Sequence, residues 1–366
     1  MNTTETITMI RQTIEHYIKS CNGDIPPIAI YPYGKDGLFV KHILNNQFGI
    51  REKYLVDNTL CNYNPEIISS KEMLNKEENI TVIISTVSRG INKNICEEIS
   101  KSGSSNFSII NIIDPIIHKA DKDDPYYGEL KELLRVKAVT GHSFTRIGRL
   151  NDGGYAMIDD FSADMKAYSF GISDDMSWDV HISDMTGMKV YMYDHTVPCA
   201  PVFHKDCYFN RIGLGAEDDE LHNLLSLNTI LDINGDGSIM GKLILKMDIE
   251  DAEWDVLDSV SESVLKCFRQ MVFEFHGMTD YSENGREKRI KVLRKLNNTH
   301  QIVWVHGNNY TYALNNGELT IPYAIEVLYL NKDCYNFSNE NAFLPLSLDM
   351  PNMAGRKDFD LSFLAL

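Results

Sequence analysis

Short apolar runs alternate with polar stretches of helical spacing along most of this chain, a pattern that predicts strands and helices in turn. Residues 1–20, MNTTETITMIRQTIEHYIKS, read as an amphipathic helix carrying acidic residues. Residues 25–44 give a short apolar strand, a glycine-containing turn and a helical pattern. YLVDN (54–58) is a second strand ending at Asp57, and NITVIISTVS (79–88) is a third, followed by a helix around NICEEIS. FSIINIID (107–114) is a fourth strand. Alternating units of this size imply a parallel sheet with right-handed crossovers. Pro, Asp and Gly then gather in IIDPIIHKADKDDPYYG (112–128), which places a domain boundary at about residue 120.

A second series follows in residues 121–366. YYGELKELLRVKAV (126–139) is a helix, and RIGRLNDGGYAMIDD (146–160) has the look of a hairpin. MKAYSFGI (165–172), MKVYMYDHT (188–196), CYFNRIGLG (207–215), GKLILKMDIE (241–250) and FRQMVFEFHGM (268–278) are strands. Helices WDVHISDMTG (178–187), HNLLSLNTIL (222–231) and AEWDVLDSVSES (252–263) fall between them, and REKRIKVLRKLNN (286–298) is a basic helix with a solvated face. HQIVWVHGNNYT (300–311) and IPYAIEVLYL (321–330) close the series as two strands with no long helix between them. The expected fold is therefore α/β, with a smaller Rossmann-like domain over residues 1–120 and a larger Rossmann-like sheet over 121–366.

Composition narrows the function classes. The 366 residues are 43% hydrophobic and 24% charged, ordinary for a soluble globular chain. No apolar stretch approaches the roughly 20 residues that span a bilayer, and the N-terminus lacks the pattern of a signal peptide. The cytoplasm is the expected compartment. Seven scattered cysteines without a C-x-x-C pair argue against a disulfide framework and a structural zinc site. A net charge of −17 with no basic run disfavours nucleic acid and anionic membranes as partners. A small-molecule acceptor is expected, with self-association to a homo-oligomer left open.

The candidate chemistry lies at the carboxyl ends of the second series of strands, where doubly wound sheets hold their ligands. In order these are Gly171, whose missing Cβ allows close approach, then Asp194, placed to accept from a ribose diol, then Asp248, then Glu274 and His276 on one side of their strand. His276 is the candidate general base. Alternatively Asp248, Glu274 and His276 bind one divalent ion, Mg2+ if oxygen donors predominate. The remaining alternative makes His276 a hydrogen-bonded structural histidine with Glu274 as its partner.

Several ordered motifs are more specific. Arg146-Ile147-Gly148-Arg149-Leu150-Asn151-Asp152-Gly153-Gly154-Tyr155 is followed by Tyr168-Ser169-Phe170-Gly171-Ile172 and by Lys246-Met247-Asp248-Ile249-Glu250-Asp251-Ala252-Glu253. On these, residues 139–330 resemble the FkbM-type S-adenosylmethionine-dependent methyltransferases, with Asp251 standing where that family has glycine. The resemblance implies a class I methyltransferase sheet whose last strand runs antiparallel. It places Phe170 and Gly171 by the methionine part of S-adenosylmethionine, Asp194 on the ribose and Gly215-Ala216 with Glu217-Asp218 near the adenine. Asp152, Gly153 and Gly154 would close over cofactor or acceptor, the alternative for the two glycines being a plain tight turn. Arg146, Arg149 and Lys246 would meet an acceptor phosphate or carboxylate, or else make surface ion pairs.

The expected reaction is O-methylation of a sugar hydroxyl, on a nucleotide-activated sugar for capsular or other surface polysaccharide. Two other classes stand beside it. Tyr33-Gly34-Lys35-Asp36-Gly37 with Asp57 twenty residues on is a degraded dinucleotide fingerprint, which admits an NAD-dependent sugar-nucleotide oxidoreductase or epimerase. A non-catalytic nucleotide-binding module is the other. Asp232-Ile233-Asn234-Gly235-Asp236-Gly237-Ser238 matches the first half of an EF-hand loop, but Leu243 occupies the twelfth position, so a surface turn is expected.

Overall fold

A computed structural model of the chain describes residues 3–21, 23–114, 116–280, 282–338, 340 and 342–365. Met1 and Asn2 of the expected first helix, and Pro115 at the expected boundary, lie outside the described residues. The chain divides into two units, Met1–Ile116 with Met353–Asp358, and Ile117–Asn352 with Phe359–Leu366. The segment Met353–Asp358, read from sequence as part of the second domain, counts with the first unit.

In the first unit, α1 (Thr3–Ser20), β1 (Ile28–Tyr31), α2 (Lys35–Gln47), β2 (Tyr54–Val56), β3 (Ile67–Ile68), β4 (Ile80–Ile84), α3 (Arg89–Lys101) and β5 (Phe107–Asn111) follow in order. The strands form one parallel sheet, β3-β2-β1-β4-β5. Every residue of the central strands β1 and β4 is buried, which is why both read as unbroken apolar runs. Gly37 is required at the start of α2, because a Cβ there would stand 2.8 Å from the Pro32 carbonyl oxygen. Asp57 accepts from the Thr59 and Leu60 amides at 2.9 Å each through one carboxylate oxygen and so caps a local turn.

The second unit contains α4 (Pro125–Leu133), the antiparallel hairpin β6 (Phe144–Gly148) and β7 (Gly154–Ile158), then β8 (Lys166–Phe170), α5 (Ser177–Thr186), β9 (Lys189–Tyr193) and β10 (Cys207–Asn210). After these come β11 (Gly213–Gly215), β12 (Leu224–Ser226), α6 (Leu227–Ile233), β13 (Leu243–Met247), α7 (Glu253–Ser259), β14 (Phe268–Phe275), α8 (Glu283–Thr299), β15 (His300–Gly307) and β16 (Ile325–Asn331). Seven strands make one sheet in the order β10-β9-β8-β13-β14-β16-β15. The first five are parallel, and β16 runs antiparallel between β14 and β15. Strand order and the single reversed strand define a doubly wound, Rossmann-like α/β sheet.

The sheet is packed on both faces. Met247, Phe273, Phe275, Trp304 and Tyr329 are fully enclosed in one continuous core. Two features differ from expectation. Between β15 and β16 the chain makes a small hairpin, Tyr312–Asn315 with Thr320–Pro322. The Asp232–Ser238 segment runs from the last residues of α6 into a turn, and within it Asp236 is 1% exposed and accepts from Lys166 Nζ and Tyr168 Oη at 2.6 Å each. Its acid is a buried counter-ion for the start of β8, and only the flanking residues lie at the surface. No helix among the described residues is long and apolar enough to cross a membrane.

Candidate active site

The order of the sheet reverses between β8 and β13, the position at which open α/β sheets carry ligands beyond their strand ends. Here the two strand ends are stitched together. The Asp248 amide donates to the Phe170 carbonyl at 3.1 Å, and Lys246 Nζ donates to the Gly171 carbonyl at 2.9 Å. Gly171 has φ +78°, and a Cβ on it would lie 1.6 Å from the Asp248 carbonyl oxygen. The glycine is thus demanded by the neighbouring strand as well as by its own torsion. Ser173, Glu250 and Asp251 also have positive φ, at 46°, 55° and 77°. Left-handed non-glycine residues carry strain and gather at functional sites, and these three occupy the two loops that leave β8 and β13.

Asp194, just beyond β9, governs the first of those loops. One carboxylate oxygen accepts from the Ile172 and Ser173 amides at 2.9 and 2.8 Å, the other from the Thr196 amide and hydroxyl at 2.7 and 2.6 Å. A carboxylate offers about four acceptor sites, and all are used. Burial raises its pKa, but these donors outweigh burial and hold the group below the ordinary aspartate value. Asp194 therefore shapes the loop directly, and the ribose-accepting role read for it from sequence has no free oxygen to use.

A cleft of about 480 Å³ opens at these strand ends. It is lined by Gly171, Ser173 and Asp194 after β8 and β9, by Gly213 and Leu214 of β11, by Asp152, Gly153 and Tyr155 of the β6–β7 hairpin, and by Asp248 and Glu250 after β13. Of the expected cofactor residues, Asp152, Gly153, Gly171, Asp194 and Asp248 line it. Phe170 does not: its ring is fully buried and stacks on Tyr193 at 5.3 Å, so it serves through its backbone. Gly213 and Leu214 take the place read for Gly215 and Ala216, which sit just past the lining residues.

The β6–β7 hairpin brings Asp152 and Gly153 to the cleft, and Arg146 fixes its turn by donating to the Arg149 and Asn151 carbonyls at 2.9 and 2.8 Å. Gly154 is more than a tight turn, since a Cβ there would meet the Arg149 carbonyl oxygen at 1.9 Å. Arg146 and Lys246 thus both donate to backbone carbonyls, and Lys246 also lines the cleft. Arg149 pairs with Asp175 at 3.0 Å on the lip of the cleft.

Behind the cleft lies a group of acids. Tyr155 Oη is 3.2 Å from Asp248 and 3.5 Å from Glu274. Asn308 donates to Glu274 at 2.6 Å, and Asn352 donates to Asp152 and Glu326 at 3.0 and 2.7 Å. Burial, then the Asp248 and Glu326 charges, hold Glu274 well above the usual carboxylate range, with His276 working against them. Burial alone would depress the His276 ring, but Glu253, Glu274 and Asp248 outweigh it and push the ring up to about 10. The expected trio is divided: Asp248 and His276 converge with Glu253, while Glu274 converges with Asp152 and Glu326.

Sequence reading missed Glu253, Tyr155 and Glu250 as site residues, although all three stand within its motifs. The signal available for Glu253 was its place in the first turn of a helix directly after Asp248, where an acid can fold back on the strand end. No family model matches the chain, and no curated protein does. Among solved structures, a fibrillarin/Nop5p complex covers 47% of this chain and 74% of its own, at 12% identity and TM-score 0.30. The Methanococcus jannaschii fibrillarin pre-rRNA processing protein covers 54% and 85%, at 12% identity and TM-score 0.28. A Haemonchus contortus phosphoethanolamine N-methyltransferase 2 bound to S-adenosyl-L-methionine covers 79% and 79%, at 9% identity and TM-score 0.21.

Proposed function

We propose that this chain is an S-adenosylmethionine-dependent O-methyltransferase acting on a sugar hydroxyl, the sugar being carried on a nucleotide for a surface polysaccharide. The observation that carries the reading is the cleft at the β8/β13 reversal, whose lining includes the apolar Leu214 and Leu224 and the acids Asp152, Asp248 and Glu250. An adenine suits the first, and a sulfonium cation is drawn to the second by simple charge attraction. Gly171, Ser173 and the loop fixed by Asp194 would hold the methionine part between them.

The chemistry asked of the protein is alignment. The acceptor oxygen attacks the methyl carbon in line, the C–S bond breaks, and its electron pair stays on sulfur as S-adenosylhomocysteine; holding the two partners in that line supplies much of the acceleration. The hydroxyl proton must leave to a base. Asp248 is the carboxylate that both lines the cleft and is oriented by Tyr155, so the base role read for His276 passes to it by position. Several carboxylates lining one cleft also suit an acceptor rich in hydroxyl donors. Arg149 and Lys246 are the cations lining the cleft that would meet a nucleotide phosphate, and S-adenosylmethionine is the cofactor this reading requires.

Calorimetric titration with S-adenosylhomocysteine, beside an Asp194→Ala variant, tests the reading. Micromolar binding by the wild type and its loss in the variant are expected. A wild type that is folded by circular dichroism yet binds no S-adenosylhomocysteine overturns the proposal. Methyl transfer from labelled cofactor to a panel of nucleotide sugars then tests the acceptor class.

A further inference from the structure

We propose that Asp248, Glu253 and His276 bind a first-row divalent cation, Zn2+ or Mn2+. One carboxylate oxygen from each acid and one His276 ring nitrogen lie within 4.8 Å of one another. Donors on a shared ion with bonds of roughly 2.0–2.2 Å stand at most about 4.4 Å apart, so these three are within a small side-chain rotation of a common ion.

A separate observation comes from Glu253 itself. The residue is 0% exposed. Its Oε1 accepts from the Ile249 amide at 2.8 Å and lies 3.2 Å from His276 Nδ1. Its Oε2, equally enclosed, has no hydrogen-bond donor among the described residues. Buried carboxylate oxygens are nearly always paired, and an orphan calls for an ion or a water. A carboxylate taken from water without compensation is costly. The residue with the unmatched oxygen is the one that converges with the other two donors, so a cation at that point answers both observations.

The frame around the three donors is stiff. Trp254, next to Glu253 at the start of α7, donates its indole N–H to the His276 carbonyl at 2.7 Å and stacks on Phe275 at 4.6 Å. Two consecutive residues of α7 thereby fix the ring and the backbone of His276, and ligands on rigid elements hold their geometry best. The donor set decides the class of ion. Ca2+ takes six to eight oxygens and Mg2+ prefers oxygens and water, whereas an imidazole beside two carboxylates suits first-row transition ions. The set read from sequence, with Glu274 in place of Glu253, has the same two carboxylates and one imidazole; Mg2+ was read there on the condition that oxygens predominate, and it is the imidazole nitrogen that turns the choice to a first-row ion.

This inference does not rest on methyl transfer, and its test is a binding measurement. The full chain, freed of metal by a chelator, is titrated calorimetrically with Zn2+ and by electron paramagnetic resonance with Mn2+, with Mg2+ as the comparison. About one equivalent is expected for Zn2+ or Mn2+, weakened at least about tenfold (roughly 1.4 kcal/mol) in Glu253→Gln and in His276→Asn, and retained in Glu326→Gln. Circular dichroism confirms that each variant folds, and Asp248→Asn carries the same expectation should Glu253→Gln fail to fold. Absence of Zn2+ and Mn2+ binding by the wild type, or binding equally strong in all the ligand variants, overturns the site. Loss of S-adenosylhomocysteine binding with metal binding intact would overturn only the methyltransferase reading.

Discussion

The carbonyl oxygen of Asp248 stands 1.6 Å from the point a Cβ on Gly171 would occupy, and the two residues end adjacent parallel strands at the reversal of the sheet. An alanine at 171 must part β8 from β13 or bend one of them, on top of a left-handed torsion that costs an L-residue roughly 1–2 kcal/mol. Gly171→Ala is expected to lower the unfolding midpoint and to abolish S-adenosylhomocysteine binding, read by thermal denaturation and calorimetry. A variant that binds as the wild type does would show that this strand crossing does not form the cleft.

Asp251 takes a left-handed torsion with a side chain, and Tyr323 Oη donates to its carboxylate at 3.0 and 2.8 Å. Asp251→Gly removes the torsional cost, and removing the phenol by Tyr323→Phe removes the compensating hydrogen bonds. Tyr323→Phe is expected to cost about 1 kcal/mol in the wild type and close to nothing beside Asp251→Gly. Urea unfolding of the four-protein cycle measures the coupling; two effects that simply add would refute it.

His300 is enclosed at the start of β15, between the Thr299 hydroxyl at 2.8 Å and the Phe268 carbonyl at 3.1 Å. Burial depresses its ring from 6.5 to about 4. Between those values the unfolded chain takes up a proton that the folded ring refuses, so stability rises with pH across that window and is lost as pH falls through it. At about 1.4 kcal/mol per unit the loss from this group is about 3 kcal/mol. Equilibrium unfolding of His300→Gln between pH 7 and 4 should show a correspondingly shallower fall than the wild type, and an identical slope would count against the assignment.

Asp236 sits between Lys166 Nζ and Tyr168 Oη in a loop whose residues look like half of a calcium site. Breaking such a pair on one side is destabilising, and with Lys166 partly open to water the expected cost of Asp236→Asn is about 2 kcal/mol. Asp232→Asn, at the exposed first position of the same loop, should change stability by less than about 0.5 kcal/mol. Urea unfolding with and without Ca2+ adds a second check: a midpoint raised by Ca2+ would show an ion site where a turn is expected.

Much of the architecture was legible because burial leaves its mark on residue type. The apolar runs at Ile28–Tyr31, Ile80–Ile84 and Leu243–Met247 became central parallel strands, as their unbroken hydrophobicity required. The insertion of β16 between β14 and β15 was not readable, because its apolar run is the same wherever in the sheet it pairs. At the site, the motifs located the right strand ends but not the use made of each residue. Gly171 was read as room for a ligand, and the group that approaches it is the Asp248 carbonyl. Asp194 was read as a ligand contact, and its carboxylate is taken up by the Ile172, Ser173 and Thr196 amides and the Thr196 hydroxyl; Lys246, read as an acceptor contact or a surface ion pair, donates to the Gly171 carbonyl. Such roles depend on which segments lie across the fold, and local spacing carries no record of that.

The turn after β13 bears on how sequences of this kind vary. Where glycine stands at 251, the backbone needs no help to turn left, and position 323 is free to change. With aspartate at 251 the two positions are bound to each other by the phenol–carboxylate contact, although 72 residues separate them along the chain. Among homologous sequences these two positions should therefore change together, with tyrosine at 323 tracking aspartate at 251 and drifting wherever glycine returns.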